Sequence, residues 1–403
     1  FQAFSWSVST TNTTNLLSSS MKILLEWPRS SVYDPMSFPG GVEKWTTHVF
    51  NTLKKSEHTV HLLAPNDSIC KDDSVILGPL PSRPYDKTKT HSYKFKSFYE
   101  FLESIADDYD VILLTSMITS GVLRKQCEHL LHKIVYVQHY YETCDTGVTN
   151  FTAWLNHLAI IKGGGKVLAP NRWVVDGTSR AYELRKGGRE WQKRIHPWER
   201  EKWYDVKEKI GLYNGFFDII HYLEDAVKLK PLNRKKVIFI GRSVDAKGIF
   251  DAAKTLIALS KEGYDCHLFT RDEQLAKQRT ESVMEMVKTS TVNLHINTPH
   301  NEIMEELADT HILLWPTQKE TVGIVGYEGA IHGCKVIYQI DPPDCYLEGW
   351  GFKRSWKNWK QLLDVVRSVE KEDFDREAAN EYFTHKYSRD SDLRRIEECL
   401  TLA

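Results

Sequence analysis

The segment from Ile312 to Ile340 constrains the fold more than any other. It reads as a buried strand, Ile312-Leu-Leu-Trp315, stopped by Pro316, and then a loop carrying Glu320. A helix follows, starting between Val322 and Gly326 and stopping at Gly333, and a second apolar strand, Lys335-Val-Ile-Tyr338, comes after it. Glycine just past a helix is a good stop, because it takes the left-handed conformation without a Cβ penalty. Two strands joined through a helix run parallel, since antiparallel neighbours need only a turn. The segment is therefore one strand–loop–helix–strand unit of a parallel sheet.

Its acidic residues are spaced for chemistry. Glu320 falls in the loop at the carboxyl end of a strand, where open α/β sheets bind ligands. Glu328 is eight residues further on, about two helical turns, so it can face the same side. Gly323 and Gly326 lie between them and are expected to let a ligand approach the backbone. The N–H groups of the helix start, with Thr321 and Val322 just ahead of it, favour an anion. Two carboxylates around an anion-binding helix start suit a nucleotide sugar: one for ring hydroxyls, one for ribose, amides for the diphosphate. An ordinary strand and helix with two surface glutamates would give the same pattern.

The segment resembles the signature of retaining GT-B glycosyltransferases of the large fourth glycosyltransferase family. The matching residues are Glu320, Glu328, Gly333 and the Val336-Ile337 strand. In that family the first motif commonly reads Glu-Gly-Phe-Gly, where this chain has Glu320-Thr-Val-Gly323, and Pro often stands where this chain has Lys335. The resemblance implies an α/β, GT-B architecture: two doubly wound Rossmann-like domains facing each other across a cleft.

The rest of the chain agrees with a doubly wound fold. Apolar strands are expected at 21–26, 59–63, 111–114 and 134–138, with helical stretches between them, which is the alternation of a parallel sheet. Gly40-Gly41 opens a helix with apolar residues at Val42, Trp45, Val49 and Leu53; the resemblance implies that this glycine pair lies against donor phosphates or acceptor. His139 follows the 134–138 strand, and in the family a His or Asp at this place lies beside the donor sugar. A charged stretch, 223–234, contains Pro231 and is read as a linker over 226–235. A second sheet is expected from Lys236 on. Gly241-Arg242 and Lys247-Gly248, about 75 residues ahead of the paired glutamates, resemble the family's Gly-Arg and Lys-Gly segment. Arg242 and Lys247 would then neutralise a leaving diphosphate, Arg with two parallel bonds and Lys as a point charge.

The domain expectation is a leader or cloning remnant over 1–20, a first domain over 21–225, and the linker over 226–235. A second, nucleotide-sugar-binding domain is expected over 236–380, and a helix crossing back to the first domain over 381–403. Residues 185–204 stand out as an insert with seven Lys or Arg against three Glu, interleaved with Trp191, Trp198, Trp203 and Tyr204. Basic residues mixed with aromatics can grip phosphates and stack on bases, so Arg189, Trp191, Lys193, Arg194 and Trp198 are the candidate acceptor residues. A charged surface excursion with tryptophans folded onto the domain is the other reading of the same stretch.

Composition limits what remains. The 403 residues are 41% hydrophobic and 27% charged, enough for two domains with sizeable cores. The net charge of −1 gives no whole-molecule attraction to nucleic acid or membrane, so any polyanion site must be local. Seven scattered cysteines without metal-ligand spacing suit a reducing compartment, and no apolar run is long enough to span a bilayer. No Asp-x-Asp motif stands ahead of the paired glutamates at the site, so no essential metal is expected, and the co-substrate is a nucleoside diphosphate sugar. The expected catalytic set is His139, Arg242, Lys247 and Glu320. The expected donor set is Gly40, Gly41, Gly241, Arg242, Lys247, Thr321, Val322, Gly323 and Glu328. Size, the absence of an anchor and the Val137-Gln138-His139 segment are similar to phage DNA glucosyltransferases, which modify hydroxymethylated pyrimidines on a flipped-out base. Double-stranded DNA with such a base is the favoured acceptor, in the cytoplasm, or the host cytoplasm if phage-encoded. Other readings are a glycosyltransferase of cell-envelope polysaccharide or lipid-linked glycan, and a non-catalytic nucleotide-sugar or DNA-binding module.

Overall fold

A computed structural model describes residues 20–28, 33, 41–70, 72–79, 100–115, 128–139, 159–169, 215–216, 227–271, 277–317, 323–339, 347 and 349–401. Two parallel sheets organise them. The first contains β1 (Lys22–Glu26), β2 (Thr59–Ala64), β3 (Val75–Leu77), β4 (Val111–Leu114), β5 (Ile134–Val137), β6 (Lys166–Ala169) and β7 (Gly215–Phe216), in the order β3-β2-β1-β4-β5-β6-β7. The second contains β8 (Asn233–Ile240), β9 (Asp265–Thr270), β10 (Asn293–Ile296), β11 (Thr310–Trp315), β12 (Lys335–Tyr338) and β13 (Phe352–Lys353), in the order β10-β9-β8-β11-β12-β13. Both orders reverse direction once, next to the first strand of each sheet. That reversal opens a crevice at the carboxyl ends of β1 and β4, and another at those of β8 and β11.

Alternation along the strands places the cores. Ile23 and Leu25 face one side of the first sheet, with Trp45, Val49, Phe50 and Leu53 of helix α1 (Gly41–Lys54). Leu24 faces the other side, with Leu102, Leu130, Leu131 and Ile160. In the second sheet, Val237, Phe239, Ile312 and Leu314 meet α2 (Ile249–Lys261), α3 (Lys277–Val287) and α6 (Trp359–Glu370). Ile238, Leu313 and Val336 meet α4 (His300–Leu307), α5 (Ile324–Ile331) and α7 (Arg376–Lys386). The period of two is what a strand buried on both faces requires. The Asn358 side chain caps α6 by accepting from Lys360 N and Gln361 N, and Asp375 caps α7 by accepting from Ala378 N.

The stretch expected to form one returning helix is divided. Phe383 and Tyr387 pack on Tyr327 in the second sheet's core, with ring centroids 6.3 and 5.4 Å from it. The chain then passes to α8 (Arg389–Thr401), whose Ile396, Cys399 and Leu400 lie in the core beneath α1. Buried Asp392 receives His48 Nε2 at 2.8 Å, and Lys166 Nζ donates to Cys399 O at 3.0 Å. β8 begins at Asn233, inside the stretch read as linker, because Asn233 pairs with Thr310 of β11. Gly215-Phe216 is a short edge strand paired with Leu168 and Ala169.

Candidate active site

The carboxyl ends of β8 and β11 bring two distant segments of sequence together. After β8, Gly241 N continues the ladder to Phe269 O at 3.1 Å, and buried Ser243 shares a 2.8 Å hydrogen bond with Thr270. The turn Asp245–Lys247 ends at Gly248, whose φ of +68° is left-handed. A Cβ at Gly248 would stand 2.4 Å from Pro316 O, so only glycine lets this loop lie against the turn after β11. Thr317 Oγ1 ties the two together by donating to Ala246 O at 3.0 Å. Arg242 is exposed and Lys247 half-buried on this loop, directly beside the start of the paired-glutamate segment. Gly323 caps α5 with φ +68°, and Gly248 caps α2. Neither cap provides a side-chain hydrogen bond, so the N–H groups of both first turns lack the side-chain acceptor that Ser or Asp would supply.

Glu328 is the centre of this geometry. It is 4% exposed, on the fifth residue of α5. His300 Nε2, on the first residue of α4 beyond β10, lies 2.7 Å from its Oε1. Lys44 Nζ, in the first turn of α1 against the other sheet, lies 3.4 Å from the same oxygen. A buried carboxylate met by a lysine ammonium and an imidazole nitrogen is not a surface glutamate, and the ordinary surface reading of this residue does not hold. His332, one turn on, places Nδ1 2.6 Å from the Glu328 carbonyl, and burial depresses its pKa.

Gly326 does something other than expected. Its Cβ would lie 2.6 Å from Trp315 Cζ3, and a Cβ at Gly329 would lie 2.3 Å from Leu313 Cδ2. Gly326 thus allows α5 to sit close on β11; it faces the sheet, not a ligand. Gly333 takes φ +67° where the helix ends, as its sequence position implied.

In the first sheet, His139 follows β5 and is buried. Its ring meets Trp45 edge-on, with centroids 4.5 Å apart, and its Nε2 has no hydrogen-bond partner among the described residues. Burial pushes its pKa down to about 3, so near neutral pH it is an uncharged imidazole. Trp45 adjoins Lys44, so the first turn of α1 touches both His139 and Glu328. Gly41 opens that helix. Of the other residues expected at the site, Gly40, Glu320, Thr321, Val322, Arg189, Trp191, Lys193, Arg194 and Trp198 lie outside the described residues.

Lys44 and His300 were not found from sequence. Lys44 left one local signal: a cation in the first turn of a helix opposes the helix dipole and needs another reason to be there. His300 left only its place after Thr298-Pro299 at a strand end. An Asp-x-Asp does precede the glutamates in the chain, Asp108-Tyr109-Asp110, but it lies at the amino end of β4, where Asp110 Oδ2 accepts from Lys22 N at 2.7 Å. Among the described residues no group of three or more His, Cys, Asp or Glu could hold a metal ion, and no helix is long and apolar enough to cross a membrane.

No family sequence model and no curated protein matches the chain. Solved structures do. The chain is similar to a glycosyltransferase from Rickettsia africae ESF-5, with 16% identity and a TM-score of 0.58 over 96% of this chain and 100% of that one. It is similar to an alpha-glucosyltransferase in complex with UDP and a 13-mer DNA containing a HMU base, with 13% identity and a TM-score of 0.58 over 95% and 100%. It is also similar to Anabaena HepE in complex with UDP and glucose, with 13% identity and a TM-score of 0.63 over 95% and 100%. The fold is that of the GT-B glycosyltransferases, as the segment around Glu320 and Glu328 implied.

Proposed function

We propose that this chain is a retaining glycosyltransferase that moves a sugar from a nucleoside diphosphate sugar, in the first instance a UDP-sugar, to a hydroxyl group. The observation that carries the reading is the burial of Glu328 against His300, which follows β10, and Lys44 of α1, on the helix that follows the turn tied to the loop bearing Arg242 and Lys247. A ribose diol donates its hydroxyl protons to Glu328. The diphosphate takes Arg242, Lys247 and the N-terminal amides of α2 and α5, groups fixed in advance where negative charge develops. Glu320 binds hydroxyls of the transferred sugar. Neutral His139 offers a hydrogen bond from the opposite domain.

The reaction is a dissociative, front-face displacement. The bond from the anomeric carbon to the diphosphate oxygen breaks. The acceptor oxygen bonds to that carbon on the same face, and its proton passes to the leaving phosphate oxygen. The favoured acceptor is a hydroxymethylated pyrimidine in DNA, acting in the cytoplasm. The basic and aromatic stretch 185–204 supports it, as does likeness to a fold-mate solved with UDP and HMU-containing DNA. An envelope polysaccharide or lipid-linked glycan is the second reading, favoured by a net charge of −1, which supplies no general field toward DNA.

The test is to incubate the protein with a panel of nucleotide sugars and with DNA containing or lacking hydroxymethylated cytosine or uracil. The DNA is then digested and its nucleosides analysed by mass. A hexose or pentose adduct on the hydroxymethylated nucleoside alone is expected. Donor consumption with glycan acceptors only would favour the second reading.

A further inference from the structure

The first turn of α1 reaches into the second domain. Lys44 and Glu328 are 284 residues apart and belong to helices on different sheets, yet their charged atoms are 3.4 Å apart. Helix stability does not account for Lys44, because the N-terminal end of a helix disfavours a cation. Nor is this a screened surface pair: the side chains are 16% and 6% exposed. A buried carboxylate left without its cation pays a desolvation cost that an exposed one avoids. The separation exceeds the roughly 2.7–2.9 Å of a tight charge-assisted hydrogen bond, so a small rotation between the domains would shorten or break it. His300, from the same domain as Glu328, binds the same oxygen. With both contacts on Oε1, rotation of the carboxylate is restrained, and with it the direction presented to a diol.

We propose that Lys44 is a positioning residue for the donor, one that bridges the two domains to the ribose-binding carboxylate and makes nucleotide binding depend on closure of α1 onto α5. The proposal rests on the assignment of Glu328 to the donor. Lys44 acts through Glu328, and Trp45 beside it packs edge-on against His139 of the same domain.

Lys44→Met keeps the aliphatic stem and removes the charge. Titration calorimetry with UDP should show about a tenfold weaker constant, the scale of one lost charge-assisted contact. Donor KM should rise by the same factor while kcat stays within about twofold, because uniform binding is what is lost. Lys44→Arg should recover most of the affinity, which a purely packing role would not predict. In a Glu328→Gln background, Lys44→Met should have no further effect. Small-angle scattering of nucleotide-free Lys44→Met should give a larger radius of gyration than wild type. If Lys44→Met is poorly folded, Lys44→Gln replaces it in the same cycle.

An equal loss of UDP affinity in both backgrounds would mean that Lys44 touches the nucleotide itself, and would overturn the proposal. So would unchanged UDP affinity, or an unchanged radius of gyration. Wild-type protein that binds no nucleoside diphosphate at all would overturn the donor assignment, and the proposal with it. That outcome is distinct from wild-type binding that Lys44→Met leaves intact.

Discussion

Gly326→Ala separates two roles a glycine can have at the start of α5. If Gly326 is there for a ligand, a methyl group should spare the fold and impair binding. If it is there for packing, the fold should suffer first. The structure favours packing: the methyl would stand 2.6 Å from Trp315 Cζ3 and 2.8 Å from Cε3. Trp315 is 4% exposed and lies against Tyr338, with ring centroids 6.1 Å apart, so the indole has little room to move. Overpacking of this kind costs roughly 1–3 kcal/mol. Alanine returns at most about 1 kcal/mol of helix propensity, and less in a first turn. The net expectation is a loss of about 1–2 kcal/mol. Gly329→Ala should cost at least as much, since its methyl would meet Leu313 Cδ2 at 2.3 Å and Val336 Cγ2 at 3.0 Å. The assay is urea unfolding followed by tryptophan fluorescence, read as a lower midpoint at unchanged slope. A Gly326→Ala protein as stable as wild type, with nucleotide affinity reduced, would refute the packing argument and restore the ligand role.

Arg242→Ala and Lys247→Ala should each weaken UDP binding at least about tenfold by calorimetry, from contacts worth roughly 1.5–3 kcal/mol; unchanged affinity in both would remove them from the donor site. Neutralising Arg189, Lys193 and Arg194 together should lower the salt dependence of DNA binding by about 2–3 units of slope while leaving donor hydrolysis near wild type. Trp191→Ala or Trp198→Ala should weaken DNA binding by roughly 1–3 kcal/mol if the ring stacks on a base, and should lower the melting temperature instead if it packs on the domain. Burial pushes His139 down to about 3, whereas in the unfolded chain it titrates near 6.5, so the unfolded state binds the extra proton. Its contribution to stability is complete above about pH 6.5 and is lost as pH falls toward 3, at up to about 1.4 kcal/mol per pH unit. His139→Leu should therefore lose less stability than wild type between about pH 6.5 and 4.5; parallel pH profiles would contradict the buried, neutral state.

The sequence made the sheets legible where strands are apolar on both faces. Val111–Leu114, Ile134–Val137 and Lys335–Tyr338 stand where their residues imply, because such runs have no alternative burial. The three shortest strands, Val75–Leu77, Gly215–Phe216 and Phe352–Lys353, were not separable from loop. Each has two or three residues and owes its pairing to the strand beside it, a property of the neighbour and not of its own pattern. Glu328 was visible through its spacing from Glu320, but its burial was not, since His300 and Lys44 reach it from 28 and 284 residues away. Gly326 was misread for a related reason: one glycine serves a ligand or a neighbouring ring equally well, and only the position of Trp315 decides between them. The split at Tyr387, between α7 on the second sheet and α8 on the first, was hidden because both helices carry similar charged, amphipathic sequence.

The role proposed for Glu328 is that of the donor carboxylate in a sugar-transferring site. It is tested most directly by comparing wild type with Glu328→Ala in one experiment that measures both nucleotide binding and sugar transfer, on protein whose folding is checked by its melting curve. Wild type should bind a nucleoside diphosphate and transfer sugar from the matching donor. Folded Glu328→Ala should bind that nucleotide at least about tenfold more weakly, from the loss of charge-assisted contacts to the ribose. Folded Glu328→Ala that binds the nucleotide as tightly as wild type would contradict it.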